Sequence, residues 1–235
     1  MSSVFDCLDA SQLLPAMRAA RTTVARGELI VLPTDTVYGV GADAFSPAAV
    51  RRLVEAKGRG RNQPPPVLVG TTDAMRALVA EVPLEVDALV ERFWPGALTI
   101  VLPAQPSLTW DLGETKGTVA VRMPDNMVAR ELLQETGPLA VSSANLTGQP
   151  AANTIAEAEA MLGESIGVYL DGGQAGVGLS STIIDATQLV TATESERIVR
   201  VLREGGVTRA QLREVLGDAL EPDPAPAEPE AGGAS

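Results

Sequence analysis

The sequence predicts a single α/β domain, and two observations carry that prediction. The first is Leu29-Ile30-Val31-Leu32, four consecutive aliphatic residues between Gly27 and Pro33, which is the pattern of a strand buried on both faces. The second is the recurrence of such runs between stretches of helical periodicity along 235 residues, enough chain for one sizeable core. Pro33 ends the ladder of the first run, and Thr34-Asp35-Thr36-Val37-Tyr38-Gly39 continues as a loop through Asp43. That loop leaves the carboxyl end of a strand, the edge at which ligands sit in open α/β sheets.

In chain order, Leu13, Leu14, Met17, Ala20, Arg21 and Val24 recur at helical spacing after Ser11, with Gly27 placed to end the helix and Pro15 confined to its first turn. Ser46-Pro47 is an N-cap and first-turn pair, opening a helix whose apolar face is Val50, Leu53 and Val54. It runs out at Lys57-Gly58-Arg59-Gly60-Arg61, the one dense basic cluster of the chain. Glycines between cations let the backbone fold back so that several charges converge on one anion. The plain alternative is a solvated loop before the strand 67–69. Helices follow at 72–79 and 84–93, the second started by Pro83, and Trp94-Pro95-Gly96 turns into the strand 98–102 with the tryptophan as packing.

After a surface loop over 103–116, the strand 118–122 ends in Arg122, either a surface ion pair or an anion anchor. A helix over 126–136 stops at Gly137-Pro138. The short strand 139–141 then runs into Ser142-Ser143-Ala144-Asn145-Leu146-Thr147-Gly148, again hydroxyls and an amide after an apolar strand. Two such loops on one sheet edge would face a common crevice. Thr154 and Glu157 form a capping box for a helix to Leu162, and 168–170 is a strand. The glycine-rich stretch 171–181 leads into Thr182-Ile183-Ile184-Asp185, followed by a polar insertion, a strand at 198–202 and a helix from Thr208 capped by Gln211. Residues 221–235 alternate Pro, Ala and acids without a core-forming side chain, so the expected organisation is one domain over 1–220 and a disordered tail over 221–235.

Composition excludes several chemistries. Acids outnumber bases 30 to 18, a formal charge of -12 that opposes a general nucleic-acid coat. With no histidine and one cysteine, Cys7, neither a histidine-activated nucleophile nor a His- or thiolate-ligated zinc site can be built. The lone cysteine, and a start from Met1 to Asp9 without a basic opening or long apolar stretch, lead us to expect a cytoplasmic protein without a membrane span. Gly173 to Ser180 has phosphate-loop spacing, but Leu179 stands where the lysine belongs. Gly39-Val40-Gly41 imitates a dinucleotide fingerprint, yet Arg59 to Asn62 lie where the ribose-binding acid belongs.

Six motifs in order, Pro33-Thr34-Asp35-Thr36-Val37-Tyr38-Gly39, Lys57-Gly58-Arg59, Trp94-Pro95-Gly96-Ala97-Leu98-Thr99, Val119-Ala120-Val121-Arg122-Met123-Pro124, Ser143-Ala144-Asn145 and Ser181-Thr182-Ile183-Ile184-Asp185, resemble those of the YrdC-like threonylcarbamoyl-AMP synthases. The resemblance runs from about Arg18 to Gly206 and looks like the short form without the extra C-terminal domain. It implies a twisted mixed sheet flanked by helices, with a deep crevice on one face. The implied reaction forms threonylcarbamoyl-AMP and pyrophosphate from L-threonine, bicarbonate and ATP, for threonylcarbamoyl-adenosine in tRNA. Mg²⁺ would accompany the nucleotide, and a separate tRNA threonylcarbamoyl transferase complex would take the product, with little direct nucleic-acid binding by this chain.

By the same resemblance, Lys57, Arg59 and Arg203 would lie along the triphosphate, Lys57 and Arg59 as the catalytic pair, with Thr118 and Asn145, and Asn153 nearby, fixing the rest of the nucleotide. Arg122 would pair with threonine's carboxylate, while Thr34, Thr36, Ser143 and Ser181 shape the amino-acid pocket. Gly60 and Pro65 replace a Pro and a Leu common in relatives, and Leu68 falls where some members carry a histidine. The rival reading is an RNA-binding module that uses the crevice as a groove. An aromatic content of 3% offers it few stacking platforms. A sugar-phosphate lyase of similar fold would need an acidic metal-binding loop that the sequence does not display.

Overall fold

The computed structural model describes residues 2–176, 179–193 and 196–223. Its first half contains β1 (Ser3–Asp6), α1 (Ala10–Ala25), β2 (Ile30–Leu32), β3 (Gly39–Asp43), α2 (Pro47–Ala56), β4 (Val67–Leu68), α3 (Thr72–Leu78) and α4 (Leu84–Phe93). Then come β5 (Leu98–Pro103), β6 (Thr118–Arg122), α5 (Met127–Thr136), β7 (Leu139–Ser143) and α6 (Ile155–Leu162). The chain closes with β8 (Val168–Asp171), β9 (Thr182–Asp185), α7 (Gln188–Thr191), β10 (Arg200–Arg203) and α8 (Arg209–Leu216). The strands form one mixed sheet in the order β1-β8-β2-β3-β7-β4-β6-β5-β9-β10. β2 and β7 each run antiparallel to β3, so their carboxyl ends share one edge and the two hydroxyl-rich segments meet there, as expected.

Strand register sorts the side chains onto two faces. Val31, Val40, Ala140, Val67, Val121, Ile100 and Ile184 point into a core that includes apolar residues of α2, α3, α4, α6 and α8. On the opposite face, Ile30, Leu32, Leu139, Val141, Val168 and Leu170 pack with α1 and α5. That second cover includes no residue of β5, β6, β9 or β10, and over those strands the face carries Thr99, Arg122, Ile183 and Arg203 instead. The crevice is this uncovered stretch of sheet.

Several elements differ from the sequence expectation. Asp9, not Ser11, caps α1, its side chain accepting from the Ser11 amide at 2.9 Å, so the helix begins earlier and Pro15 lies in its second turn. Gly39–Asp43 is a strand and not a loop. A Cβ on Gly39 would stand 2.6 Å from Val141 Cγ1, so the glycine that disguises the strand is what lets β3 lie against β7. β7 continues through Ser142 and Ser143, β10 starts at Arg200, and β1 and the one-turn α7 were not expected. Trp94 packs as expected, 8% exposed, with its Nε1 donating to Leu98 O at 2.7 Å.

The domain boundary also moves. Glu221 is docked: its amide donates to Val199 O at 2.9 Å, and its Oε1 accepts from Val201 N at 2.9 Å and Arg209 Nη2 at 2.8 Å. Arg213 Nη2 reaches Glu221 O and Asp223 Oδ1 at 2.9 and 3.1 Å. The rest of the expected tail, 224–235, lies outside the described residues. Ending the chain at Asp223 is expected to leave the melting temperature unchanged. Ending it at Leu220 removes all four of these hydrogen bonds of Glu221, about 2 kcal/mol or roughly 4–8 °C by thermal denaturation.

Candidate functional site

The row Leu68-Arg122-Thr99-Ile183-Arg203 crosses the open face from β4 to β10. Leu68 is in register with Arg122, Thr99 precedes the Ile100 that pairs with Val121, and Ile183 is in register with both Thr99 and Arg203. Arg122 and Arg203 therefore stand three strand spacings apart, about 14 Å between backbones. All five line a cavity of about 220 Å³, together with Thr34, Thr36, Gly39, Arg59, Ser143 and Ser181 from the surrounding strands and loops.

Each cation is held differently. Arg122 is 6% exposed; its Nε donates to Gly96 O at 2.9 Å, Nη1 to Thr36 Oγ1 at 3.0 Å and Nη2 to Asp35 Oδ1 at 2.5 Å. A guanidinium has five N–H groups, so two remain for a ligand. Burial lowers the Arg122 pKa, Asp35 opposes that shift and Arg203 adds to it. Arg203 clasps Ser181, with Nε and Nη2 on its carbonyl at 3.1 and 2.8 Å and Nη2 on its Oγ at 3.2 Å. Ser181 Oγ in turn shares a 2.8 Å hydrogen bond with Thr99 Oγ1. Arg59 Nη1 donates to Ser142 Oγ at 3.1 Å, while its buried Nε has no partner. Burial lowers the pKa of both Arg59 and Arg203, with Arg59 adding to the shift of Arg203. Such a group of cations, with one carboxylate at Arg122, is built for anions.

Lys57 stands behind this wall. It is 1% exposed, and its Nζ donates to Ser143 O, to Asn145 O at 2.6 Å and to Asn145 Oδ1 at 3.3 Å. All three ammonium hydrogens are thus engaged. Burial, then Arg59, pushes Lys57 down to about 7, whereas the surrounding oxygens favour the ammonium. Lys57 therefore fixes the end of β7 and does not line the cavity in this arrangement.

The other expected residues divide. Thr34 and Thr36 are buried and share a 3.0 Å hydrogen bond, with Thr34 Oγ1 also donating to Val37 O at 2.6 Å. Asn145 spends its amide nitrogen on Leu146 O and Gln149 O at 2.9 and 2.8 Å, bracing the loop. Thr118 lines an adjoining apolar hollow of about 220 Å³ that shares Pro64, Pro66 and Ile183 with the first. Asn153 belongs to neither hollow; its amide donates to Glu157 Oε2 at 2.7 Å, and its buried Oδ1 has no partner. Asp35, Leu68, Thr99 and Ser142 were not singled out as site residues from sequence, because each joins the site through a partner at least 80 residues away or through strand register. Two of them had a signal: Asp35 sits between two hydroxyls already chosen, and Leu68 falls where some members of the family carry a histidine.

Among the described residues, no group of three or more His, Cys, Asp or Glu is placed to hold a metal, and no helix is long and apolar enough to cross a membrane. Comparison with known proteins agrees with the geometry. A family profile for Sua5, YciO and YrdC proteins, described as telomere recombination, matches residues 22–205. A Mycobacterium leprae protein provisionally named threonylcarbamoyl-AMP synthase is 49% identical over 92% of this chain and 95% of its own length. The Bacillus subtilis threonylcarbamoyl-AMP synthase is 36% identical over 86% of this chain and 57% of its own length. The crystal structure of Pyrococcus abyssi Sua5 complexed with L-threonine superposes with a TM-score of 0.81 at 31% identity, over 94% of this chain and 63% of that one. In sequence and fold alike, this chain belongs to the Sua5/YciO/YrdC family.

Proposed function

We propose that the crevice forms threonylcarbamoyl-AMP and pyrophosphate from L-threonine, bicarbonate and ATP. One observation carries the reading: a buried guanidinium with two free N–H groups, Arg122, shares a cavity with two further cations, Arg203 three strands away and Arg59 beside Ser142 of β7. Arg122 takes the amino-acid carboxylate while Arg59 and Arg203 take phosphates, so each substrate has its own cationic anchor. Condensation of threonine's amine with bicarbonate gives a carbamate and water. A carbamate oxygen then attacks the α-phosphorus, the bond to the bridging oxygen of the β-phosphate breaks, and pyrophosphate leaves. The substrate supplies the nucleophile, so a chain without histidine lacks nothing for this step. The protein aligns the reactants and neutralises phosphate charge.

Mg²⁺ enters as part of the nucleotide, bound through phosphate oxygens, and no step is assigned to a metal held by protein side chains. The product is an activated acyl phosphate anhydride, and a separate tRNA threonylcarbamoyl transferase in the cytoplasm is its consumer. The acidic balance of the chain supports transfer to that partner over direct capture of RNA. Pyrophosphate release is measured with MgATP, L-threonine and bicarbonate, each omitted in turn. Release only with all three is expected, and release independent of threonine or bicarbonate would refute the reading.

A further inference from the structure

We propose that the loop 108–115 positions Arg59 in the crevice, and that Gly113 is the positioning residue through which it acts. The inference rests on the nucleotide reading of Arg59 above. Arg59 enters the cavity from a stretch, 57–66, that has neither helix nor strand of its own. On one side its backbone is tied to the end of α2: Gly58 N donates to Glu55 O at 2.9 Å and Arg59 N to Val54 O at 3.0 Å. On the other side the hydrogen bonds that reach Arg61 come from the loop 108–115. Glu114 N donates to Arg61 O at 2.9 Å, and Arg61 Nη2 donates to Asp111 Oδ1 at 2.7 Å.

The ion pair is exposed on both sides, and such pairs hold little. The backbone contact is the firmer tie, and its geometry needs glycine. Gly113 has φ 105°, and a Cβ there would stand 2.6 Å from Arg61 O. A side chain at 113 must push Arg61 away or lift the loop, and Arg59 lies two residues back along the same stretch. Among the described residues the Arg59 guanidinium has one hydrogen bond, Nη1 to Ser142 Oγ at 3.1 Å, so its aim follows the backbone that carries it. The loop itself is fixed. Trp110 stacks on Phe45 with ring centroids 5.6 Å apart, and Leu112, 3% exposed, lines the adjoining hollow beside Pro64 and Pro66. Where β6 begins, Thr115 O accepts from Thr118 N and Oγ1 at 3.0 and 2.8 Å. A misplacement of about 1 Å at a positioned group can cost on the order of 100-fold in rate, so a small shift of this tie is enough to be read.

The test is a double-mutant cycle followed by calorimetry, with MgATP titrated alone into the parent, Gly113→Ala, Arg59→Ala and the double variant. In G113A the Kd for MgATP is expected to rise at least about fivefold, while that for L-threonine, also titrated alone, stays within about twofold. In the R59A background the same substitution is expected to change MgATP affinity by less than about twofold, because the group it misplaces is already gone. A role confined to the fold would weaken both backgrounds equally. Should G113A fail to fold, Trp110→Ala, which frees the loop from Phe45, carries the same cycle with an expected loss of at least about threefold. Parent-like MgATP affinity in the folded variant, or an equal loss with and without Arg59, would overturn the inference alone. Should R59A bind MgATP like the parent, the nucleotide reading fails and the inference falls with it.

Discussion

Arg122→Ala is expected to weaken L-threonine binding at least tenfold and to lower the melting temperature as well. The side chain is 6% exposed and bonded to Gly96 O, Thr36 Oγ1 and Asp35, whose own side chain is 18% exposed. Truncating one partner of a buried, hydrogen-bonded charge pair costs on the order of 2–5 kcal/mol, and about 1.4 kcal/mol is one decade of affinity. The same loss in the folded state corresponds to roughly 4–20 °C in melting temperature for a chain of this size. Arg122→Lys separates the two effects, because an ammonium keeps the charge beside Asp35 but not the fork that grips a carboxylate. R122K is expected to melt nearer the parent and still bind threonine at least about tenfold more weakly. Arg59→Ala is the reciprocal variant: ATP binding falls at least about tenfold while threonine, titrated alone by calorimetry, binds as before. If R122A and R59A bind both ligands like the parent, the crevice is not the substrate site.

Lys57→Met tests whether that lysine acts on phosphate or on the protein. Methionine fills much of the same space but leaves Asn145 O and Asn145 Oδ1 without their buried donor, whereas Ser143 O keeps the Asn145 amide at 2.9 Å. Each unsatisfied buried acceptor costs about 1–3 kcal/mol. We expect a loss on the order of 2 kcal/mol or more, roughly 4–8 °C or more in melting temperature, measured without any ligand. Turnover should fall with it, since Ser143 belongs to the cavity wall. A variant that melts like the parent while losing ATP affinity would instead place the ammonium on the nucleotide.

The basic stretch shows how far linear reading reaches. The sequence marks Lys57, Arg59 and Arg61 as one cluster, and folding sends them three ways. Lys57 turns inward beneath Ser143 and Asn145, and Arg59 enters the cavity. Arg61 stays at the surface, 58% exposed, paired with Asp111 at 2.7 Å. Spacing alone does not separate them, because the left-handed turn at Gly58, φ 62°, redirects the chain between the first two. Helices over 84–93 and the capping boxes at Thr154 and Thr208 were legible because caps and periodicity are local signals. β3 was not, since its two glycines answer to packing against β7 and not to their own strand preference. The partners of Arg122 followed the same rule. Its role as an anion anchor or as an ion pair stood as alternatives in the sequence, and the structure gives it a carboxylate partner together with a place in the cavity.

The strand order has a consequence for how the chain is made. β1, made before the other described strands, has β8 as its neighbour, and β2 is held between β8 and its own hairpin partner β3. β4 likewise waits for β6 and β7. At roughly 5–20 residues per second, β8 follows β1 by on the order of ten seconds or more. During that interval the Ser3–Asp6 edge and one side of Ile30–Leu32 have no native partner, and such unpaired apolar edges are where nascent chains misassociate. The glycines of β3, which let the hairpin close tightly on Leu32 as soon as both strands exist, limit that exposure to one side.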